Sequence, residues 1–284
     1  LKGSLKILQK LMRETQPNRV FICWDGPGGS QRRRSINKSY KEGRKPAKVN
    51  WDSAFLSPEA KEENRKWQQL RLMEYFNSMP VCQLLLPSVE ADDIVSFVSS
   101  SPSLKGWQKI IVSSDKDFFQ LIDHRVKVWS PGSKKEWSVD SVVENFGIHP
   151  ENFCLARCFV GDVSDGLKGA PGVGFKSLAK RFSAFSSDDN LTIDDIVTEC
   201  RKLREQSRLK LYDSIIDHEE QVKRNWKLMY LGHGKLSAHQ VQRIEGAMTG
   251  EPKRDKLAFI RSLMSLQITN VDYDKLFMTL KILK

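Results

Sequence analysis

Residues 89–121 read VEADDIVSFVSSSPSLKGWQKIIVSSDKDFFQL, and the reading of this stretch decides the fold. Glu90, Asp92 and Asp93 sit at the head of a stripe, Ala91, Ile94, Val95 and Val98, whose spacing predicts an amphipathic helix. Asp115 and Asp117 follow an apolar run at 110–112, which predicts a buried strand. Acids at the start of a helix and at the carboxyl end of a parallel strand converge on the edge of an α/β sheet, where sites are built. Crowded carboxylates repel one another unless a cation binds them, and oxygen donors suited to phosphate chemistry point to Mg²⁺ or Mn²⁺. Each group also has a plainer explanation. The helix dipole alone favours acids in a first turn, and an Asp after a strand is often a turn residue. The functional reading therefore needs more acids from elsewhere in the chain.

Upstream, residues 19–24 (RVFICW) have the length and apolar content of a strand covered on both faces. That run ends in Asp25-Gly26-Pro27-Gly28-Gly29, so Asp25 repeats the arrangement of Asp115. Residues 30–48 carry Arg32, Arg33, Arg34, Lys38, Lys41, Arg44, Lys45 and Lys48 against Glu42, with Tyr40 among them. Cations interleaved with an aromatic suit a phosphate backbone and a base to stack on. A solvated loop is the alternative; low hydrophobicity favours a mobile segment that orders on nucleic acid. Trp67, Leu70, Met73, Phe76 and Met79 predict a core-packed helix over 61–79, and residues 81–86 a second buried strand. Residues 126–129 and 136–139, separated by Pro131-Gly132, predict a hairpin or a pair of edge strands.

Near residue 140 the strand patterns stop. Helices are expected over roughly 140–146, 150–160, 175–182, 193–204, 221–231, 238–248 and 256–266, with a polar loop at 183–190. Within this half, residues 161–180 read GDVSDGLKGAPGVGFKSLAK. Asp162 and Asp165 are spaced to face the same way on a helical turn. Gly169, Gly172 and Gly174 then precede Lys176, a pattern that lets backbone N–H groups approach a phosphate at a helix start. Phe175 intervenes before Lys176-Ser177, so this is no P-loop, and no strand immediately precedes it as a dinucleotide fingerprint requires. A hairpin between two helices that grips a DNA backbone without reading sequence fits better. An ordinary glycine-rich connection is the alternative.

The 284 residues, 39% hydrophobic, suffice for one large domain or two unequal ones. A net charge of +11 beside clustered acids favours a polyanionic partner, though a merely basic protein has the same balance. No apolar run of ~18 residues offers a membrane span, and no signal peptide opens the chain. The five cysteines lack zinc-ligand spacing and read as reduced core thiols in a cytoplasmic setting. The chain opens inside an amphipathic pattern, Leu5, Leu8, Leu11 and Met12, without a Met.

Taken together, Trp24-Asp25-Gly26, Tyr40-Lys41-x-x-Arg44, Glu90-Ala91-Asp92-Asp93, Ser114-Asp115-Lys116-Asp117 and Gly161-Asp162-x-x-Asp165 stand in a telling order. With the glycines that follow, they resemble the flap endonuclease / 5′→3′ exonuclease family over about residues 20–182. The resemblance is especially to bacteriophage 5′-nucleases and to the 5′-nuclease domain of bacterial DNA polymerase I. The resemblance implies an α/β fold, a PIN-like parallel sheet flanked by helices, with a nuclease core over 1–139 and a basic arch at about 30–60. It implies a helical part over 140–284 holding a helix–three-turn–helix motif at about 150–182.

By the same resemblance, Asp25, Glu90, Asp92, Asp93, Asp115, Asp117, Asp162 and Asp165 would surround two Mg²⁺ ions, with Mn²⁺ as a substitute. Lys41 and Arg44 would meet the scissile phosphate, and Tyr40 would stack on the terminal base. Arg32, Arg33, Lys38 and Arg157 would be further DNA contacts. Gly172, Gly174 and Lys176 would hold the downstream duplex, with K⁺ a candidate ion there. The implied activity is a 5′→3′ exonuclease / flap endonuclease using metal-activated water on branched or 5′-ended DNA, RNA:DNA primers included. The expected setting is a monomer serving replication or repair in the cytoplasm of a bacterium or phage-infected host. Two departures stand out: the family's metal-binding Asp on a still earlier strand has no counterpart in this sequence, which points to a longer natural protein, and Gly166 stands in place of its usual Asn. A PIN-type ribonuclease and a non-cleaving branched-DNA-binding protein are the rival readings.

Overall fold

The computed structural model describes residues 1–42 and 57–278. Arg44, Lys45, Lys48 and the middle of the expected arch lie outside the described residues. In chain order the elements begin with α1 (Lys2–Thr15), β1 (Phe21–Trp24), α2 (Gln31–Ile36), α3 (Pro58–Asn77), β2 (Cys82–Leu85) and α4 (Ala91–Ser100). Next come β3 (Lys109–Val112), β4 (Val126–Ser130), β5 (Lys135–Trp137), α5 (Val139–Phe146), α6 (Phe153–Val160), β6 (Gly161–Asp162) and β7 (Leu167–Lys168). The last are α7 (Phe175–Arg181), α8 (Ile193–Gln206), α9 (Lys210–Asp217), α10 (Glu219–Met229), α11 (Ala238–Thr249), α12 (Lys256–Ser265) and α13 (Tyr273–Met278). The described residues fall into two compact units. No helix among them is long and apolar enough to cross a membrane.

One unit takes the described residues of Leu1–Asp25, Pro46–Leu86 and Ser237–Lys284. In it β1 and β2 pair in parallel, Phe21 opposite Cys82 and Trp24 opposite Leu85. The expected spacing in α1 holds, since Leu5, Leu11 and Met12 are buried; each such side chain contributes about 1.5–3 kcal/mol. Helix α3 starts at a Ser57 cap that accepts the Ala60 N–H at 3.2 Å, with Pro58 in the first turn. Its expected core stripe is only half realised. Tyr75, Phe76 and Met79 are buried, but Trp67 and Leu70 are 42% and 60% exposed. The edge-on contact of Tyr75 with Phe259, at 6.2 Å, places the packing at the carboxyl half of the helix.

The other unit takes the described residues of Gly26–Lys45 and Pro87–Leu236. Its sheet has the order β3-β4-β5, β3 parallel and β5 antiparallel to β4. Strand β3 was expected to be buried throughout, yet Ile110 and Val112 are exposed and Ile111 alone of the three is buried. An edge strand alternates sides with period two, so one face meets the core and the other does not. The core is aromatic: Phe119, Phe146, Phe153 and Phe175 meet with centroids 5.2–6.0 Å apart. Trp137 joins them, 4.8 Å from Phe119 and 5.8 Å from Phe146. This cluster straddles residue 139, so the compact unit does not break where the sequence changes character.

Past residue 140 the helices lie near their expected spans, with α9 and α13 added. Helix α2 falls within the segment expected to be mobile, because its Arg33 has an interior to enter. Asp162 and Asp165 were expected on a helical turn. Instead β6 and β7 pair antiparallel around them.

Candidate active site

A tight loop sets the first acidic group. The Gly26 N–H donates to the Val89 carbonyl at 2.9 Å and the Ser88 N–H to the Pro27 carbonyl at 2.8 Å. A Cβ on Gly29 would stand 2.8 Å from the Val89 carbonyl oxygen, so a glycine is what lets the loop close here. Glu90, in extended conformation, then stands at the N-cap position of α4 without a side-chain capping bond, and Asp92 and Asp93 occupy the first turn.

Glu90 and Asp93 are both buried, and α2 supplies their countercharge. The Arg33 guanidinium, 5% exposed, grips both Asp93 oxygens at 2.9 Å and also donates to Glu90. Its Nε donates to the Leu228 carbonyl of α10 at 3.0 Å. Lys41 Nζ donates to the other Glu90 oxygen at 2.9 Å, and Lys235 Nζ lies 3.8 Å from Asp93. Burial alone would lower the Arg33 pKa, but Asp93 and Glu90 outweigh it and hold the guanidinium charged. Burial, with repulsion from Arg33, lowers Lys235 to about 8.

The second group forms around Arg157 of α6. Asp115 follows β3 and accepts the Asp117 N–H at 2.9 Å, which starts the short helical turn Lys116–Leu121. Arg157 bridges Asp117 at 2.7 Å and Asp162 at 2.6 Å. Asp162 also accepts the Ser164 N–H at 2.8 Å and its hydroxyl at 2.6 Å. Gly161 (φ 84°) and Gly169 set this corner: a Cβ on Gly161 would lie 2.3 Å from Gly169 N. The Lys41 N–H donates to the Asp165 carbonyl at 3.1 Å, so the segment that neutralises Glu90 is tied to the second group.

The charges left over are the informative ones. Burial first, then repulsion from Asp115, raises the Asp92 carboxyl to about 7 despite Lys41 and Arg33. Burial raises Asp117 to about 6 against the pull of Arg157. Burial pushes Asp162 up as well, but its bonds from Ser164 and the charge of Arg157 prevail and leave it below the ordinary range. Among the described residues no three His, Cys, Asp or Glu side chains stand close enough to hold one ion. In kind, however, the donors fit a hard divalent cation. They are carboxylate oxygens whose crowding and burial are costly, and such an ion would relieve that cost.

Several expected roles change. Arg33 is no surface contact for DNA, because its charge is spent on Glu90 and Asp93. Tyr40, 5% exposed, belongs to the core with Lys41 over its ring at 5.0 Å, so it is not open for base stacking as placed. Arg157 faces two carboxylates rather than solvent. Arg32 and Lys38 are exposed, as expected of DNA contacts, although Arg32 also donates to the Lys235 carbonyl at 3.0 Å. Gly172 (φ 75°) and Gly174 have nothing within 4 Å of a built Cβ, and Lys176 beside them is exposed. Asp25 lies in the other unit, exposed at the carboxyl end of β1. Sequence reasoning missed Lys235 and Ser164; Gly232 and Gly234 around Lys235 mark a turn and nothing more.

The thermostable DNA polymerase I of Thermus thermophilus is 29% identical over 217 residues, 74% of this chain and 23% of the polymerase. A flap endonuclease Xni of Shewanella sediminis is 30% identical over 183 residues, 64% of this chain and 66% of that protein. The chain thus spans about a quarter of the first relative and just under two thirds of the second. The T5 D15 protein, co-crystallised with metal ions, superposes with a TM-score of 0.65 at 18% identity, covering 95% of this chain and 93% of that one. That likeness shows a shared mixed α/β fold. Residues 1–147, just over half of the chain, match the family described as 5′-3′ exonuclease, N-terminal resolvase-like domain, and the chain belongs to that family.

Proposed function

We propose that this chain is a divalent-metal-dependent 5′ nuclease that hydrolyses DNA phosphodiesters at 5′ ends and 5′ flaps. The observation that carries the reading is the burial of Asp92 and Asp117 beside Asp115 and Asp162: burial first, then repulsion between the carboxylates, raises the two to about 7 and about 6. Asp92, Asp115, Asp117, Asp162 and Asp165 would hold Mg²⁺, with Mn²⁺ as a substitute. Glu90 and Asp93 would support the set through Arg33 and Lys41. When bound, such ions activate water and stabilise charge on the phosphate in flight.

The chain's own residues supply the rest. Lys41 holds its place through its backbone bond to Asp165 and, being partly exposed, can exchange Glu90 for the scissile phosphate. Arg157 fixes the orientations of Asp117 and Asp162. Arg44 would join Lys41 on the phosphate, and Arg32 and Lys38 would guide the strand. The turn between α6 and α7, with open backbone at Gly172 and Gly174 and the exposed Lys176, supports a helix–three-turn–helix grip on the duplex, K⁺ being a fitting ion there. RNA:DNA primers in replication or repair are fitting substrates, with the chain acting as a monomer.

A second reading is a branched-DNA-binding protein that does not cut. It is favoured by the lack of three converging ion ligands among the described residues, with Arg33 and Lys41 occupying Glu90 and Asp93. Incubating a labelled 5′-flap duplex and a single-stranded RNA with Mg²⁺ separates the readings. Products cut near the flap junction support the 5′ nuclease. RNA products alone would favour a PIN-type ribonuclease, and flap binding without products would favour the binding protein.

A further inference from the structure

The α10 helix ends in an aromatic pair that the nuclease chemistry does not use. Trp226 and Tyr230 stack one turn apart, with ring centroids at 4.5 Å and planes 13° from parallel. Trp226 packs partly against the core, whereas Tyr230 is 43% exposed. Three features hold the tyrosine ring outside. The backbone around it is pinned: the Leu228 carbonyl accepts from Arg33 at 3.0 Å, and the Met229 carbonyl from Gln120 at 3.1 Å. The Leu231 N–H donates to Gln120 at 2.8 Å, and its carbonyl accepts from Ser96 at 2.5 Å. In addition, residue 232 is a glycine whose Cβ would stand 2.2 Å from the Tyr230 ring, so a side chain there would evict the ring. Trp226 then covers one ring face.

The surroundings are cationic. Lys227 lies one helical turn from both Arg224 and Tyr230 on the outer face of α10. Arg224 and Lys227 are exposed, and neither makes an ion pair among the described residues. The acids of this helix, Glu219 and Glu220, sit at its opposite end. A rigid aromatic surface beside unspent positive charge matches unpaired bases on a phosphate backbone, which every base can satisfy through its π face.

We propose that Trp226 and Tyr230 form a platform on which a base of single-stranded DNA stacks, with Lys227 and Arg224 beside its phosphates. Arg33 ties the platform to the acidic site, since one guanidinium reaches the Leu228 carbonyl, Glu90 and Asp93. The identity of the strand, an unpaired 5′ flap, rests on the 5′-nuclease reading.

The test measures affinity of the full chain for a labelled oligothymidylate, a blunt duplex and a 5′-flap duplex, all in EDTA so that cleavage plays no part. Tyr230→Leu, which keeps apolar bulk but no ring, should bind the oligothymidylate at least about fivefold more weakly, the lower end of what one stack is worth. Tyr230→Phe should bind as the parent does, and the blunt duplex should be held equally by all three. Lys227→Gln should flatten the salt dependence of oligothymidylate binding by about 0.7 in log–log slope. An unchanged oligothymidylate affinity in a folded Tyr230→Leu overturns the platform, as does equal weakening on the blunt duplex. If the parent binds none of the three DNAs, the nuclease reading fails with it. If the parent binds the flap and Tyr230→Leu matches it on the oligothymidylate, the platform alone fails.

Discussion

Arg33 bears the heaviest structural load of any single side chain at the site, since it is the main countercharge of two buried carboxylates. Arg33→Met should therefore cost about 3–5 kcal/mol in denaturant unfolding, the penalty for leaving buried charge unpaired. Arg33→Lys should rescue little of it, because a lysine cannot grip both Asp93 oxygens and also reach Leu228. Asp92 behaves in the opposite sense. Its folded pKa, about 7, lies above the ordinary 3.8, so the neutral form is favoured on folding and stability is lost as pH rises from about 4 through about 7. At roughly 1.4 kcal/mol per unit this is on the order of a few kcal/mol. Thermal melts in EDTA should thus show the parent losing ground to Asp92→Asn between about pH 4 and pH 7. Parallel curves would contradict this account of the site. At this scale the acids were legible in the sequence from their clustering. The fate of the cations was not, because a run of arginines gives no sign of which one turns inward.

Elements were legible where a period was long and its faces distinct, as in α1, α4, α5 and α10. The misreadings share one cause: periodicity shows that a face is apolar but not whether anything covers it. Strand β3 and the first half of α3 both carried apolar patterns that are partly open. The β6–β7 hairpin was hidden because two residues are too few for a strand signal, while the glycines that make it possible were plain to see. They provide a sharp contrast. A Cβ at Gly169 would meet the Phe159 carbonyl at 2.3 Å, whereas one at Gly174 meets nothing within 4 Å. Gly169→Ala should lower the melting temperature by more than about 10 °C, in line with a strain of several kcal/mol. Gly174→Ala should leave it almost unchanged. Equal effects would mean that the hairpin is not built as described.

For the molecule as a whole, composition set the class and the order of motifs set the family, while the compact units could not be read from sequence. Units follow from which aromatic rings meet, and the ring cluster around Phe119 and Phe153 joins both sides of the expected boundary. The net charge of +11 remains a whole-molecule property with its own consequence. Flap-DNA affinity should fall about tenfold or more between about 50 and 200 mM salt, as release of counterions from even a few phosphates requires. A flat salt profile would argue against binding along the backbone. The most direct test of the central claim is cleavage of a 5′-labelled flap duplex by the chain and by an Asp115→Asn/Asp162→Asn variant, each with Mg²⁺ and with EDTA. The account predicts Mg²⁺-dependent products from the parent at the flap junction, and none from the variant or in EDTA. Equal products from parent and variant, or products that persist in EDTA, would contradict it.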